Sequence, residues 1–160
     1  MYNVKIIPKE DLDSIIPLLE MLNPELEKEI IVQRLVEIKS KTDYQCVGVY
    51  DDSKLIAISG IWILHKIYAG KHIEPDNVIV HPDYRRKGVG EIMLNWIHDY
   101  ARENGCLTSE LNARVTNAAG NKFWINQGYE IVGYHFIKKL TGGKSSNSCL
   151  SENEKEIINH

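Results

Sequence analysis

The sequence predicts an α/β fold, and three observations carry that prediction. β-Branched runs such as Val78-Ile79-Val80 alternate along the chain with segments whose apolar residues recur at helical spacing. One such run and one amphipathic segment are joined by a basic, glycine-containing turn, Arg85-Arg86-Lys87-Gly88-Val89-Gly90. The chain has 160 residues, 43% of them hydrophobic, which suits a single core burying about 70% of the unfolded surface.

The elements follow in order. Val4 to Ile7 reads as a first strand, and Leu12, Ile15, Ile16, Leu19 and Leu22 form the apolar face of a first helix. Asn23-Pro24 caps and starts a second helix, with proline at its first position, carrying Ile30, Ile31, Leu35 and Ile38. Gln45 to Tyr50 and Lys54 to Tyr68 are two strands joined by the polar turn Asp51-Asp52-Ser53. Asn77 to Val80 continues the sheet, closed by His81-Pro82-Asp83. Val89, Met93, Trp96, Ile97 and Tyr100 give a helix from about Gly88 until Asn104-Gly105 stops it. Leu107 to Leu111 is a further strand, Asn117 to Asn126 a last core helix, and Glu130 to Lys139 a final extended segment. From Thr141 to His160 the composition changes to that of a flexible linker, with Ser151-Glu152-Asn153-Glu154 a candidate capping box for a short terminal helix. The expected organisation is one domain over residues 1–140 followed by a tail.

The turn at 85–90 is where an anion can bind. Its glycines let the backbone approach a ligand, and the first N–H groups of the helix have no internal acceptor. Each charge-assisted hydrogen bond from its three cations to a phosphate oxygen is worth roughly 1.5 to 3 kcal/mol. A solvated basic turn ahead of a core helix explains the same residues. Two ordinary nucleotide motifs do not fit. No run in the chain has the spacing of a P-loop, and a dinucleotide fingerprint needs a third glycine where Met93 stands, although Glu110 falls about where the ribose-binding acid would lie.

Composition excludes other classes. A formal charge of -3 argues against a general nucleic-acid binder, and the cluster at 85–87 suits a small anion. Leu55 to Leu64, the longest apolar stretch, is interrupted by Ser59 and Gly60 and is about half the ~20 residues a bilayer requires. No membrane partner, transmembrane helix or signal peptide is expected. Cys46, Cys106 and Cys149 have neither metal nor redox spacing, and an odd count suggests reduced thiols in a cytoplasmic protein. His65, His72, His81, His98 and His135 show no ligand spacing, so no metal is expected.

Arg85-x-x-Gly88-x-Gly90 resembles the acyl-CoA signature of the GNAT N-acetyltransferase superfamily, Gln/Arg-x-x-Gly-x-Gly/Ala between a strand and a helix. The family's second motif, Asn-x-x-Ala-x-x-x-Tyr, is matched by Asn117 to Trp124, followed by Gln127-Gly128-Tyr129. The resemblance covers residues 44–140 well and residues 1–43 loosely. It implies the GNAT fold, a mixed twisted central sheet with splayed parallel strands flanked by helices, and acetyl-CoA as acyl donor. It further implies that backbone N–H groups of Arg86, Lys87, Gly88, Val89, Gly90 and Glu91, with Arg85, hold the CoA pyrophosphate. Backbone groups of Val78, Ile79 and Val80 would pair with the pantetheine arm and place an N–H near the thioester oxygen. Asn117 would contact that arm, or cap its helix, or both.

The implied chemistry is acyl transfer from a thioester to an amine. Trp124 stands where the family often has a tyrosine that protonates the leaving thiolate, and an indole N–H cannot do this. Trp124 then shapes the thioester pocket or is a core aromatic beside Phe123; Tyr129 and Tyr134 are substitute acids. The position matching a family glutamate base is Asn112. Asp76 is the preferred base, followed by Glu74 and Glu110; each also reads as a surface charge. An ordinary aspartate titrates near ~3.9 and an amine near ~10, so the carboxylate would work through water or by selecting a cationic amine. Glu20, Glu25, Glu27, Glu29 and Asp43 add acidity around the expected acceptor side. The expected substrate is a small-molecule amine, with a protein or peptide amine second, and the protein a monomer or homodimer. An acyl-CoA-binding sensor and a nucleotide-binding regulator are the other classes considered.

Overall fold

The structure, a computed structural model, describes residues 1–140; the expected tail and terminal helix lie outside them. The chain divides into two units, Met1–Leu111 and a second that begins at Asn112. In the first, strands β1 (Asn3–Ile7), β2 (Tyr44–Asp51), β3 (Lys54–Lys66), β4 (Gly70–Val80) and β5 (Thr108–Ser109) form one sheet in that order. The first four are antiparallel neighbours and β5 runs parallel to β4. Helices α1 (Ile16–Leu22) and α2 (Lys28–Lys39) accompany them, with α3 (Val89–Glu103) between β4 and β5. The result is the α/β arrangement of a mixed sheet flanked by helices.

Strand alternation explains how this sheet is covered. Ile7, Tyr44, Cys46, Ile58 and Ile79 share one cluster with Leu19, Ile31 and Leu35 of α1 and α2. Val47, Val49, Ala57, Ile61 and Ile73 share the other with Val89, Met93 and Ile97 of α3. Adjacent strand positions thus enter opposite layers.

Several expectations are corrected, each for a local reason. The Leu12–Leu22 stretch is a 3₁₀ segment, Lys9–Ile15, that passes into α1 at Pro17, whose fixed φ and missing N–H suit a first helical turn. Asn23-Pro24 does not open α2. The Asn23 backbone N–H and Nδ2 both donate to the Leu19 carbonyl, each at 3.0 Å, so Asn23 finishes α1 and α2 starts at Lys28. Strand β5 is two residues long instead of five, and residues 130–140 form no regular strand.

Strand β4 begins seven residues before the sequence suggested, because Pro75 sits inside it. The Leu107 and Glu110 N–H groups donate to the carbonyls of Lys71 and Ile73, so odd-numbered residues of this stretch face β5. Pro75 continues that alternation, and the N–H it lacks would point to the β5 side. There the parallel ladder ends: the only registered pairs are His72 with Thr108 and Ile73 with Ser109. Proline therefore stops the two parallel strands from zipping further.

Candidate functional site

The end of β4 leads directly into the turn that opens α3. The His81 N–H donates to Ile56 of β3 at 2.8 Å, and by antiparallel alternation Ile79 also faces β3, as its pairing with Ile58 requires. Val78 and Val80 then direct their N–H and C=O away from β3, while Ile79 is committed to the sheet and buried. Of the three residues expected to meet a pantetheine arm, two have backbone groups on that side. The Val80 carbonyl accepts the Arg85 Nε–H at 3.1 Å, which ties the turn to the strand end.

The turn itself is built for close approach. Arg86 and Gly88 both have left-handed backbone, φ 59° and 78°, a conformation costing an ordinary residue roughly 1–2 kcal/mol. Gly88 is the N-cap of α3, with no side-chain cap, and a Cβ there would meet nothing within 4 Å. The glycine is needed for its dihedral angle and not for space. Arg85, Arg86, Lys87 and Gly88 are exposed, while Val89 anchors the helix start in the core. Lys54 and Lys87 both lie over the Tyr84 ring, at 5.2 and 5.3 Å. The N–H groups of Val89, Gly90 and Glu91 have no acceptor within the helix, and the exposed cations Arg85, Arg86 and Lys87 directly precede them.

Upstream, β4 carries a bulge that the sequence did not reveal. The register moves from Ile58 opposite Ile79 to Gly60 opposite Asp76, with one extra residue on β4. Asn77 takes it up with φ 49°; asparagine tolerates this region better than most residues. The Asp76 carboxylate is fixed by the Asn77 N–H and Nδ2, each at 2.8 Å, with Trp62 Nε1 at 3.5 Å. Gly60 opposite leaves room for Tyr44, because a Cβ would lie 2.8 Å from its ring. Tyr44 in turn packs on Trp62 with centroids 4.9 Å apart. Burial pushes the Tyr44 hydroxyl pKa up, keeping it protonated.

Asp76 and Asn77 line a cavity of about 320 Å³ with Leu26, Ile31, Arg34, Leu35 and Tyr44 among its walls. None of the acids expected on the acceptor side, Glu20, Glu25, Glu27, Glu29 and Asp43, lines this cavity; Glu20 is paired with Lys28 at 3.8 Å, and the carboxylate in the wall is that of Asp76, the preferred base. Asp43 lies instead on a separate cavity of about 430 Å³.

Glu74 and Glu110, the other candidate bases, are held elsewhere. Lys66 Nζ donates to Glu74 at 2.7 Å and to Glu110 at 2.9 Å, while His72 Nε2 lies 3.0 Å from Glu74 and its Nδ1 3.2 Å from the Gly70 carbonyl. The ligand atoms of His72, Glu74 and Glu110 all fall within 4.8 Å of one another, a grouping the spacing of the histidines did not suggest. Its cation is the Lys66 ammonium. The available sequence signal was His72-x-Glu74, two residues on one face of a strand.

The network has a pH consequence. Burial raises the Glu74 pKa, but hydrogen bonds from Lys66 and His72 outweigh it and hold the carboxyl below the usual glutamate range. Hydrogen bonds to Glu74 and Glu110 raise that of Lys66. The unfolded chain then protonates Glu74 at a higher pH than the folded one, so stability is gained as pH rises through this window. Glu74's contribution is complete above the ordinary value of about 4.3 and is lost as pH falls below it. Thermal melts of Glu74→Gln from pH 6 downward are expected to show a shallower acid decline than wild type; parallel curves would remove Glu74 from the network.

In the second unit, Asn117 is the N-cap of α4 (Ala118–Asn126), its Oδ1 accepting the Gly120 N–H at 3.0 Å. A Cβ at Gly120 would clash with the Asn117 side-chain amide, so glycine is what admits this cap. Trp124 is half-buried, edge-on to Phe123 and Tyr129 with centroids 5.0 and 5.5 Å away. Cys46 is a core thiol that burial pushes up to about 12, and Cys106 packs beside the α3 cluster. No helix among the described residues is long and apolar enough to cross a membrane.

Comparison with known proteins agrees with this architecture. The chain is 26% identical over 133 residues to the uncharacterized N-acetyltransferase YhdJ of Bacillus subtilis, covering 82% of this chain and 94% of that one. Its fold is similar to the ribosomal-protein-alanine N-acetyltransferase of Brucella melitensis, with a TM-score of 0.74 at 17% identity over 88% of this chain and 100% of the other. It is likewise similar to the aminoglycoside acetyltransferase AAC(6')-Iy bound to a CoA-containing bisubstrate analogue, with a TM-score of 0.75 at 15% identity over 88% and 99%. The acetyltransferase (GNAT) family model matches residues 12–129. With its mixed sheet, basic glycine turn and helix N-terminus in that family's order, the chain belongs to the acetyltransferase (GNAT) family and is an N-acetyltransferase.

Proposed function

We propose that residues 1–140 act as one catalytic domain that transfers an acetyl group from acetyl-CoA to the primary amine of a small molecule. The observation that carries this reading is the succession along β4: a carboxylate fixed at a bulge beside a cavity, two residues with backbone groups free of β3, and an exposed basic turn at a helix N-terminus. The pyrophosphate of CoA rests on the donors of residues 86–91 and the cations around them, and the pantetheine amides pair with Val78 and Val80. The amine nitrogen then attacks the thioester carbonyl carbon, the C–S bond breaks, and the sulfur leaves as a thiolate.

Asp76 holds the incoming ammonium and takes or relays the proton it loses before attack; the second proton leaves the tetrahedral adduct for water or the departing thiolate. The Val78 N–H serves the carbonyl oxygen as negative charge develops on it. A thiolate whose conjugate acid titrates near ~8.5 leaves without a dedicated acid, so tryptophan at 124 is compatible with turnover. Asn117 holds the start of α4 through its cap. The protein acts as a cytoplasmic monomer or homodimer.

Free-thiol release from acetyl-CoA, measured across polyamines, aminoglycosides, amino acids and N-terminal peptides with enzyme-free controls, tests the proposal. Release above control with a small amine is the expected result. Release with peptides alone would transfer the activity to a protein amine, and silence with CoA binding confirmed would leave a sensor.

A further inference from the structure

We infer that the preferred acceptor is a primary amine carrying an anionic group, a carboxylate, at the far end of a short apolar body, and that Arg34 selects it. The inference rests on the acetyl transfer proposed above and concerns the cavity next to Asp76. Two charged side chains line that cavity, Asp76 from the β4 wall and Arg34 from the α2 wall, with Leu26, Ile31, Leu35 and Tyr44 supplying apolar surface.

Neither charge is neutralised by an ion pair among the described residues. Asp76 accepts from Asn77 and Trp62, which are uncharged donors, and it forms no ion pair among the described residues. Arg34 has neither a hydrogen bond nor an ion pair among them. A guanidinium is always charged and presents a planar fork matched to a carboxylate. A diamine would set its second cation against Arg34, and a simple alkylamine would leave Arg34 without a partner. An ω-amino carboxylate satisfies both charges and places methylenes against the apolar wall. The volume of about 320 Å³ admits a molecule of that size.

The test compares kcat/KM of the full chain for β-alanine, γ-aminobutyrate and δ-aminovalerate with propylamine, butylamine, pentylamine, putrescine and cadaverine. Amino acids are expected to exceed the matched alkylamines by roughly 10-fold or more, the scale of one charge-assisted hydrogen bond. Arg34→Gln removes the preference and Arg34→Glu turns it toward the diamines. Position 34 is exposed in mid-helix, and both replacements are good helix formers; Arg34→Gln suffices if Arg34→Glu lowers the melting temperature. Equal rates for amino acids and alkylamines, or a preference that survives both substitutions, would overturn the inference while leaving the acetyltransferase reading intact. If no amine is acetylated, that reading fails by itself. Calorimetric binding of the same ligands to the CoA-bound protein then decides: amino-acid binding lost in Arg34→Glu upholds the assignment, and its absence in wild type ends it.

Discussion

Gly90→Asp is expected to weaken acetyl-CoA binding by at least ~10²-fold without unfolding the protein. Gly90 is the second residue of α3 and follows the exposed Gly88 cap, where no side chain satisfies the helix N–H groups. An aspartate in a first helical turn favours the helix by about 0.5 kcal/mol through the dipole, so the melting temperature should hold or rise. On the proposed reading, the same carboxylate would stand where the CoA pyrophosphate approaches. Two like charges about 4 Å apart near a surface repel by roughly 4 kcal/mol, which alone corresponds to about 10³-fold in affinity. Calorimetry with acetyl-CoA should show at least a ~10²-fold weaker complex, and unchanged affinity in a folded variant would remove the pyrophosphate from this turn.

The second large effect is at Asp76. Asp76→Asn keeps the size of the side chain and an oxygen that can accept the Asn77 N–H now bonded at 2.8 Å, but it removes the charge. Losing a charge-assisted contact to the ammonium costs about 10- to 100-fold, and losing a proton acceptor typically costs 10²- to 10⁴-fold. A fall in kcat/KM for amines of at least ~10²-fold is expected, with the acetyl-CoA dissociation constant unchanged. A kcat/KM that rises with pH in wild type and loses that dependence in the variant would mark proton transfer, whereas an effect on KM alone would mark ammonium binding. Full activity in Asp76→Asn would disprove both roles.

These two residues differ in how they could be found. The turn at 85–90 was legible because everything it needs is local: the cations, the glycine that adopts φ 78°, and a helix whose apolar spacing starts at Val89. Asn117 was legible for the same reason, since a cap joins residues three apart. Asp76 was named among the candidate bases, yet what holds it was not visible. Its carboxylate depends on a bulge at Asn77, on Trp62 from the neighbouring strand, and on Gly60 making space for Tyr44.

By itself the sequence determined the α/β class, the strands β1 to β3, and the glycine turn that opens α3, because periodicity, caps and glycine dihedrals act over a few residues. Tertiary structure decided where the pairing of β4 and β5 stops, which groups neutralise Glu74, and which charges share the cavity. Pro75 looks like the end of a strand until the sheet shows which side its missing N–H faces. Lys66 and Glu110 stand 44 residues apart in the chain and 2.9 Å apart in space. Arg34 and Asp76 lie on different elements and line one cavity only because α2 packs across the sheet. The physical reason is one of range: hydrogen-bonding and dihedral preferences are written in neighbouring residues, whereas a cavity and its charge balance exist only after separate elements have buried their apolar faces together.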